Sequence, residues 1–335
     1  MKYIFELSKE HSTLPKTEVI AGLQAENIAC KIVETNEDML IIETSAKAEK
    51  LKQLANRLSF TFHVNEFLFS CKPSPETIKQ NAMDNPIGAK GSIAVRYKNR
   101  SNEKNSQPVV KALADIYTKD RQVALIKPDN EIRALLTDNN VYVGLNITEI
   151  DRTQFERRKV QHRPFFSPIS LHPKLARALV NLSGIRKDGI LLDPFCGTGG
   201  FLIEAGLIGA KVIGSDIEQK MIDGGKKTLE FYKIKESDLF CSDIGDINNH
   251  VSKVDAVVTD LPYGKSTTTK GEDIRELYER AFRNIADVLK KHGKAVIGLS
   301  NKDMIDLGKS YLSLIEVHEW RAHRSLTRYF AVYQK

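Results

Sequence analysis

The 335-residue sequence contains no run of about 18 apolar residues, so no segment is expected to cross a bilayer as a helix. Its first residues, MKYIFELSKEH, carry one early Lys and a short apolar stretch broken by Glu6, which is not a secretory signal. With no targeting segment in view, the expected location is the cytoplasm. Cysteine is scarce. Cys30, Cys71, Cys196 and Cys241 are scattered, without a CxxC pair or a His at ligand spacing. That pattern argues against a zinc site and a disulfide framework, and no metal is expected. Internal repeats and low-complexity tracts are absent too.

What remains is an ordinary globular composition, 41% apolar and 28% charged, long enough for two or three domains. The formal net charge is +7. From Asp84 to Arg163 there are 15 Lys/Arg against 10 Asp/Glu, so most of the surplus lies mid-chain and suits an anionic partner.

The first 71 residues read as a small α+β domain: strand YIFEL, helix LPKTEVIAGLQAENI, a hairpin around Asn36-Glu37-Asp38, and a helix with Leu51, Leu54 and Leu58 on one face. A Pro- and Gly-containing stretch follows, and residues 72–150 read as a second mixed α/β domain. Its expected strands are SIAVRY, QVALIKP, EIRALLTD and NVYVGLNIT, with PVVKALADIY a helix. Residues 151–169, polar and basic, read as a linker. From residue 170 to 335, a helix with Leu175, Leu179 and Leu182 on one face precedes strictly alternating strands and helices, then a C-terminal hairpin. Such alternation predicts a mostly parallel sheet covered on both faces.

The strand ILLD runs into the turn PFCGTGG before a helix. Glycines there admit a ligand close to the backbone, and the helix N-terminus offers free N–H groups. The turn lacks the small residue at the sixth position of a dinucleotide fingerprint, because Leu202 stands there, and it lacks the Lys of a phosphate loop. Acids close the strands instead. Asp193 can hold an ammonium, Asp216 a ribose, and Asp243 an adenine amino group. With Cys196, Gly197, Thr198 and Gly199 of the turn, the flanking Ile217 and Ile244 and the strand-end Asp260, they describe a cradle for S-adenosylmethionine.

VDAVVTDLPYG is a second strand-end motif. The lone pair of an exocyclic base amine is delocalised into the ring. A carboxylate (Asp260) and a backbone carbonyl (Leu261) accepting its two N–H bonds would localise that pair. Pro262 stiffens the loop and Tyr263 can stack on a base taken out of its helix. Carbon methylation of pyrimidines would need a nucleophilic Cys beside the base. DLPYG has none, and Cys196 reads as a small residue filling the cofactor turn.

DPFCGTGG, GSDI, CSD and DLPYG in this order resemble an amino-methyltransferase of Rossmann fold. HRPFFSPISLHPKLARALVNL upstream and HRSLTRYF downstream resemble the archaeal and eukaryotic tRNA guanosine-10 N2-methyltransferases. That family writes its catalytic motif DPPYG, and Leu261 replaces one proline here. The resemblance implies a ferredoxin-like domain (1–71), a THUMP RNA-binding domain (72–150), a linker (151–169) and a Rossmann-fold methyltransferase domain (170–335). It implies tRNA as partner, a small zinc-binding activator protein in some members, and methylation of a flipped-out guanine. It also suggests Phe165 and Pro168 near the methionine end of the cofactor, and Arg96, Lys98, Arg158, Arg163, Arg324 and Arg328 against RNA phosphate. Deleting residues 1–150 is expected to leave the cofactor site folded, and KSTTTKGED after Tyr263 is expected to order when substrate binds. Rival readings keep the chemistry and change the substrate: another tRNA or ribosomal RNA guanosine, DNA adenine, or a protein glutamine.

Overall fold

The computed structural model describes residues 1–102, 105–165, 170–263, 272–323 and 326–335, with the side chains of 322 and 323 outside the description. Two compact units emerge, each interrupted in sequence. One comprises 1–12, 28–56 and 61–150, the other 13–27, 57–60 and 151–335.

The first unit is built on one seven-stranded sheet. Its strands are β1 (Lys2–Leu7), β2 (Lys31–Thr35), β3 (Met39–Glu43), β4 (Thr61–Cys71), β5 (Ile93–Asn99), β6 (Asn130–Leu136) and β7 (Val141–Glu149), in the order β2-β3-β1-β4-β7-β6-β5. All neighbours are antiparallel except β5 and β6. β4 pairs with β1 through Glu66 and Tyr3, and with β7 through Glu66 and Leu145. The ladder is therefore continuous across the boundary expected at 71/72. Helices Pro75–Asp84 and Gln107–Tyr117 cover Ile132, Ala134 and Val143 with Ile78, Ala82, Val109 and Leu113. The first of these starts where it does because Ser74 accepts the Thr77 N–H and Pro75 needs no donor.

QVALIKP is not a strand. Val123 makes one isolated bridge to Ile93, Leu125 and Ile126 are exposed, and Lys127 has φ +49°. Apolar content signalled a strand there, but no described element covers it.

The second unit's strands are β8 (Ile190–Asp193), β9 (Lys211–Asp216), β10 (Ser237–Cys241), β11 (Val254–Asp260), β12 (Leu289–Leu299), β13 (Ser313–His323) and β14 (Leu326–Gln334). Their order is β10-β9-β8-β11-β12-β14-β13, with the first five parallel and the closing hairpin antiparallel. Helix Pro173–Leu182 buries Leu175, Leu179 and Leu182 as its spacing predicts, each contributing about 1.5–3 kcal/mol.

Two expectations change here. Helix Leu14–Ala25 lies in this unit and packs on Pro173–Leu182. Its buried Glu18 accepts from the Ser59 and Phe60 backbone N–H groups at 2.9 and 2.8 Å and from Asn181 Nδ2 at 2.9 Å. Deleting 1–150 would remove Glu18, Ser59 and Phe60 and leave Asn181 without them, so the second unit is not separable at that point. The stretch expected as a linker is built in as well. Helix Thr153–Arg157 buries Phe155 completely, and Arg158 is buried beside it.

Candidate active site

Strand order reverses between β8 and β11, and open parallel sheets bind ligands in the crevice beyond such a point. Asp193 ends β8 and Asp260 ends β11. One cavity is lined by both, together with Ser170, Phe195, Cys196 and Thr198.

The turn after β8 is made by backbone geometry. Gly197 and Gly199 have φ +49° and +78°, and nothing lies within 4 Å of where a Cβ would stand on either. Gly199 precedes helix Gly200–Leu207, whose first N–H groups have no acceptor within the helix. Asp216 fixes the turn by accepting the Gly197 N–H at 2.9 Å, and accepts the Glu218 N–H at 2.9 Å. Each oxygen keeps a lone pair for a ribose hydroxyl. Thr198 is buried and its hydroxyl meets Ser170 at 3.1 Å.

Asp193 is 1% exposed and takes hydrogen bonds from the Thr259 hydroxyl at 2.8 Å and the Phe195 N–H at 3.3 Å. Burial pushes its carboxyl up to about 7. Cys196 is buried, and burial raises its thiol far above the ordinary range, so it packs as a neutral residue rather than a nucleophile. Asp243 is held low by Arg280, 2.5 Å away, and accepts the Gly245 N–H at 2.7 Å. Arg280 also bonds Glu272 at 2.8 Å. Ile244 is buried and Ile217 half-buried at the flanks. The open glycine turn, the ribose acceptor and the absence of a phosphate-binding Lys fit an adenosyl amino acid.

The DLPY segment leaves β11 against β12. Leu261 N–H donates to the Gly298 carbonyl at 3.0 Å, and Tyr278 Oη donates to the Pro262 carbonyl at 2.9 Å. Gly298 lies opposite Asp260 in the ladder, where a Cβ would collide with the carboxylate. Burial raises the Asp260 pKa, opposed by the Arg328 guanidinium 3.4 Å away and by a hydrogen bond from Tyr263 Oη. Arg328 also lies over the Tyr263 ring, 5.1 Å from its centroid.

A model of the RMKL-like methyltransferase domain matches residues 160–329, and a DNA methylase model matches 8–227. A tRNA (guanine(10)-N2)-dimethyltransferase of Methanothermobacter thermautotrophicus is 32% identical over the whole of both chains. The chain belongs to the tRNA (guanine(10)-N2)-dimethyltransferase family. A relative of the same name from Pyrococcus abyssi is 38% identical over 72% of this chain and 74% of its own length. Among solved structures, TrmN from Thermus thermophilus is 18% identical over the full length of both chains with a TM-score of 0.58, a likeness of fold.

Several site expectations are revised in this dimethyltransferase family member. Arg158 is not an exposed charge for RNA. Its Nε and one terminal nitrogen grip Glu204 at 2.8 and 2.9 Å, and Arg177 reaches the same carboxylate at 2.8 Å. Arg163 is buried too, its Nε donating to the Arg158 carbonyl at 3.0 Å. A basic run looks solvated in sequence, and the acid that buries this one lies 46 residues on. Arg328 faces Asp260 instead of projecting outward for phosphate. Tyr263 bonds Asp260 with its hydroxyl, and its ring carries Arg328. Phe165 packs on Gly224 of helix Gln219–Phe231, leaving no room for a Cβ there. Arg96 is paired with Glu131 at 3.6 Å, whereas Lys98 is exposed. Pro168, Arg324 and the segment 264–271 lie outside the described residues. Arg280 and Thr259 were missed. Only the strand-face position of Thr259, beside Asp260, could have signalled either.

Proposed function

We propose that the protein is an S-adenosylmethionine-dependent methyltransferase acting on the N2 amine of guanosine 10 in tRNA. The observation that carries this reading is the pairing of Asp193 and Asp260 at neighbouring strand ends on one cavity, one acid suited to a cationic cofactor and the other to an amine. Bound cofactor would supply an electrophilic methyl group on a sulfonium. Asp193 holds the ammonium, Asp216 the ribose hydroxyls and Asp243 the adenine amine, with the glycine turn close to the backbone of the ligand. Asp260 and the Leu261 carbonyl accept the two N–H bonds of the target amine, drawing its lone pair out of the ring. Positioning supplies most of the remaining acceleration. Tyr263 releases Asp260 as the base arrives and offers its ring for stacking.

The first unit, whose later half the resemblance reads as a THUMP domain, is the part assigned to tRNA binding. Exposed Lys98 suits backbone contact, which sets affinity and salt dependence rather than sequence choice. Relatives matching the full chain are named dimethyltransferases, which favours two methyl groups as the product. A tRNA substrate also supports the cytoplasmic location expected from the sequence. No described helix is long and apolar enough to cross a membrane.

Methyl transfer from labelled cofactor to unmodified tRNA transcripts tests the reading, with nucleoside analysis and position mapping. The assay is run with the chain alone and with a small zinc-binding activator protein. Label in N2-methylated guanosine at position 10 is expected. Label on another guanosine, on adenine or on a protein overturns the substrate assignment.

A further inference from the structure

We propose that Arg328 is the residue that distinguishes guanine from other amine-bearing bases, by donating to O6 of the base whose N2 is methylated. The proposal rests on the guanine-methylating reading above. Arg328 stands on β14 with its side chain 12% exposed. One terminal nitrogen is 3.4 Å from Asp260 Oδ2, and the guanidinium carbon is 5.1 Å from the centroid of the Tyr263 ring. Its Nε is buried with no acceptor among the described residues. A pair at 3.4 Å is loose for a charge-assisted hydrogen bond, and an orphaned buried donor is costly. Among the described residues the guanidinium therefore has donor capacity left over beside Asp260, the acid that would take the target amine.

Guanine presents donor, donor and acceptor in order along its Watson–Crick edge: N2–H, N1–H and O6. Asp260 offers two acceptor oxygens, and Arg328 sets a donor beside the second. The pair thus presents acceptor, acceptor, donor, the order that cytosine shows to guanine. A base read this way is flipped out and held by its pairing edge. Adenine would place its N1 acceptor against the carboxylate and its N6 donors against the guanidinium. A site built for hydrogen bonds rejects an analogue that leaves them unmade far better than an apolar pocket does. Because Asp260 and Arg328 are already adjacent, guanine binding replaces the hydroxyl of Tyr263 without breaking up the ion pair.

The test compares tRNA carrying guanosine at position 10 with the same tRNA carrying 6-thioguanosine there. The thio base keeps N2 and N1–H and exchanges O6 for a weaker acceptor. Wild-type enzyme is expected to show kcat/KM about 10-fold or more lower on the thio substrate. Arg328→Met should bring the two substrates within about threefold of each other, by losing rate on guanosine. Arg328→Lys, which keeps the charge but not the planar fork, should fall between, and it serves if the Met variant fails to bind cofactor. A purely structural role would depress both rates and preserve the wild-type ratio, which overturns the proposal. Equal wild-type rates on both substrates overturn it as well. Absence of methyl on the guanosine control overturns the underlying reading, and this inference with it.

Discussion

The two sheets of this chain have seven strands each, but only the second sets five neighbours parallel. Parallel strands all end at one edge, so the acids that close β8, β9 and β11 gather there. In the first sheet all neighbours but β5 and β6 run in opposite directions, and charged residues spread along the ladders and neutralise one another. Arg133 bonds Glu6 at 3.1 Å and Glu131 at 3.0 Å, and Arg100 approaches Asp38 at 3.7 Å. One sheet concentrates chemistry at strand ends and the other distributes it along strand faces.

Removing the most concentrated group should separate the two sheets most sharply. Asp260→Ala is expected to lower the methyl-transfer rate by at least about a thousandfold while cofactor affinity, read by titration calorimetry, stays within about threefold. Full turnover by the variant would end the assignment.

Glu18 offers a second contrast, between a buried acid of the second unit and a paired acid of the first. Glu18→Ala orphans two backbone N–H groups and Asn181, and should cost about 2–4 kcal/mol in denaturant unfolding. Glu6→Ala should cost about 1–2 kcal/mol by the same measurement. Equal losses would remove the distinction.

Asp193 gives a pH signature. Its folded carboxyl titrates near 7 because burial disfavours the charge. The unfolded group titrates in the ordinary carboxylate range, so its contribution to stability is complete below that range and is lost as pH rises through about 7. Holding a cofactor ammonium requires the carboxylate. Cofactor affinity should therefore rise by up to about tenfold between pH 6 and pH 7.5 as apoprotein stability falls. Asp193→Asn should flatten both trends in calorimetry and thermal melts.

The smallest effect belongs to the first sheet. Lys98→Ala should weaken tRNA binding about twofold to threefold and reduce the salt slope by about 0.7–0.9, with kcat unchanged. A change in kcat would place Lys98 in the chemistry.

Legibility in the sequence follows the same division. The positions of Asp193, Asp216 and Asp260 were readable because each terminates an apolar strand beside a turn, a purely local pattern. The parallel order followed from strict alternation, and the closing hairpin from two β-rich runs with no helix between them. Arg158, Arg163 and Arg328 were readable only as charges. What decides their orientation is an acid far along the chain, Glu204 for the first and Asp260 for the last. The continuous ladder through β4 was hidden for a related reason. Both its edges are used, and the second partner, β7, begins at Val141, 70 residues after β4 ends at Cys71.

Helix Leu14–Ala25 also has a history. It buries Leu14, Val19 and Leu23, and it packs on a helix that begins at Pro173. At about 5–20 residues per second, a ribosome would need roughly 10–30 s to deliver that partner. For that interval the nascent chain carries a largely apolar segment whose docking surface does not yet exist. Completion of the first sheet precedes completion of the catalytic unit, and the N-terminal helix is among the last early-made pieces to find its place.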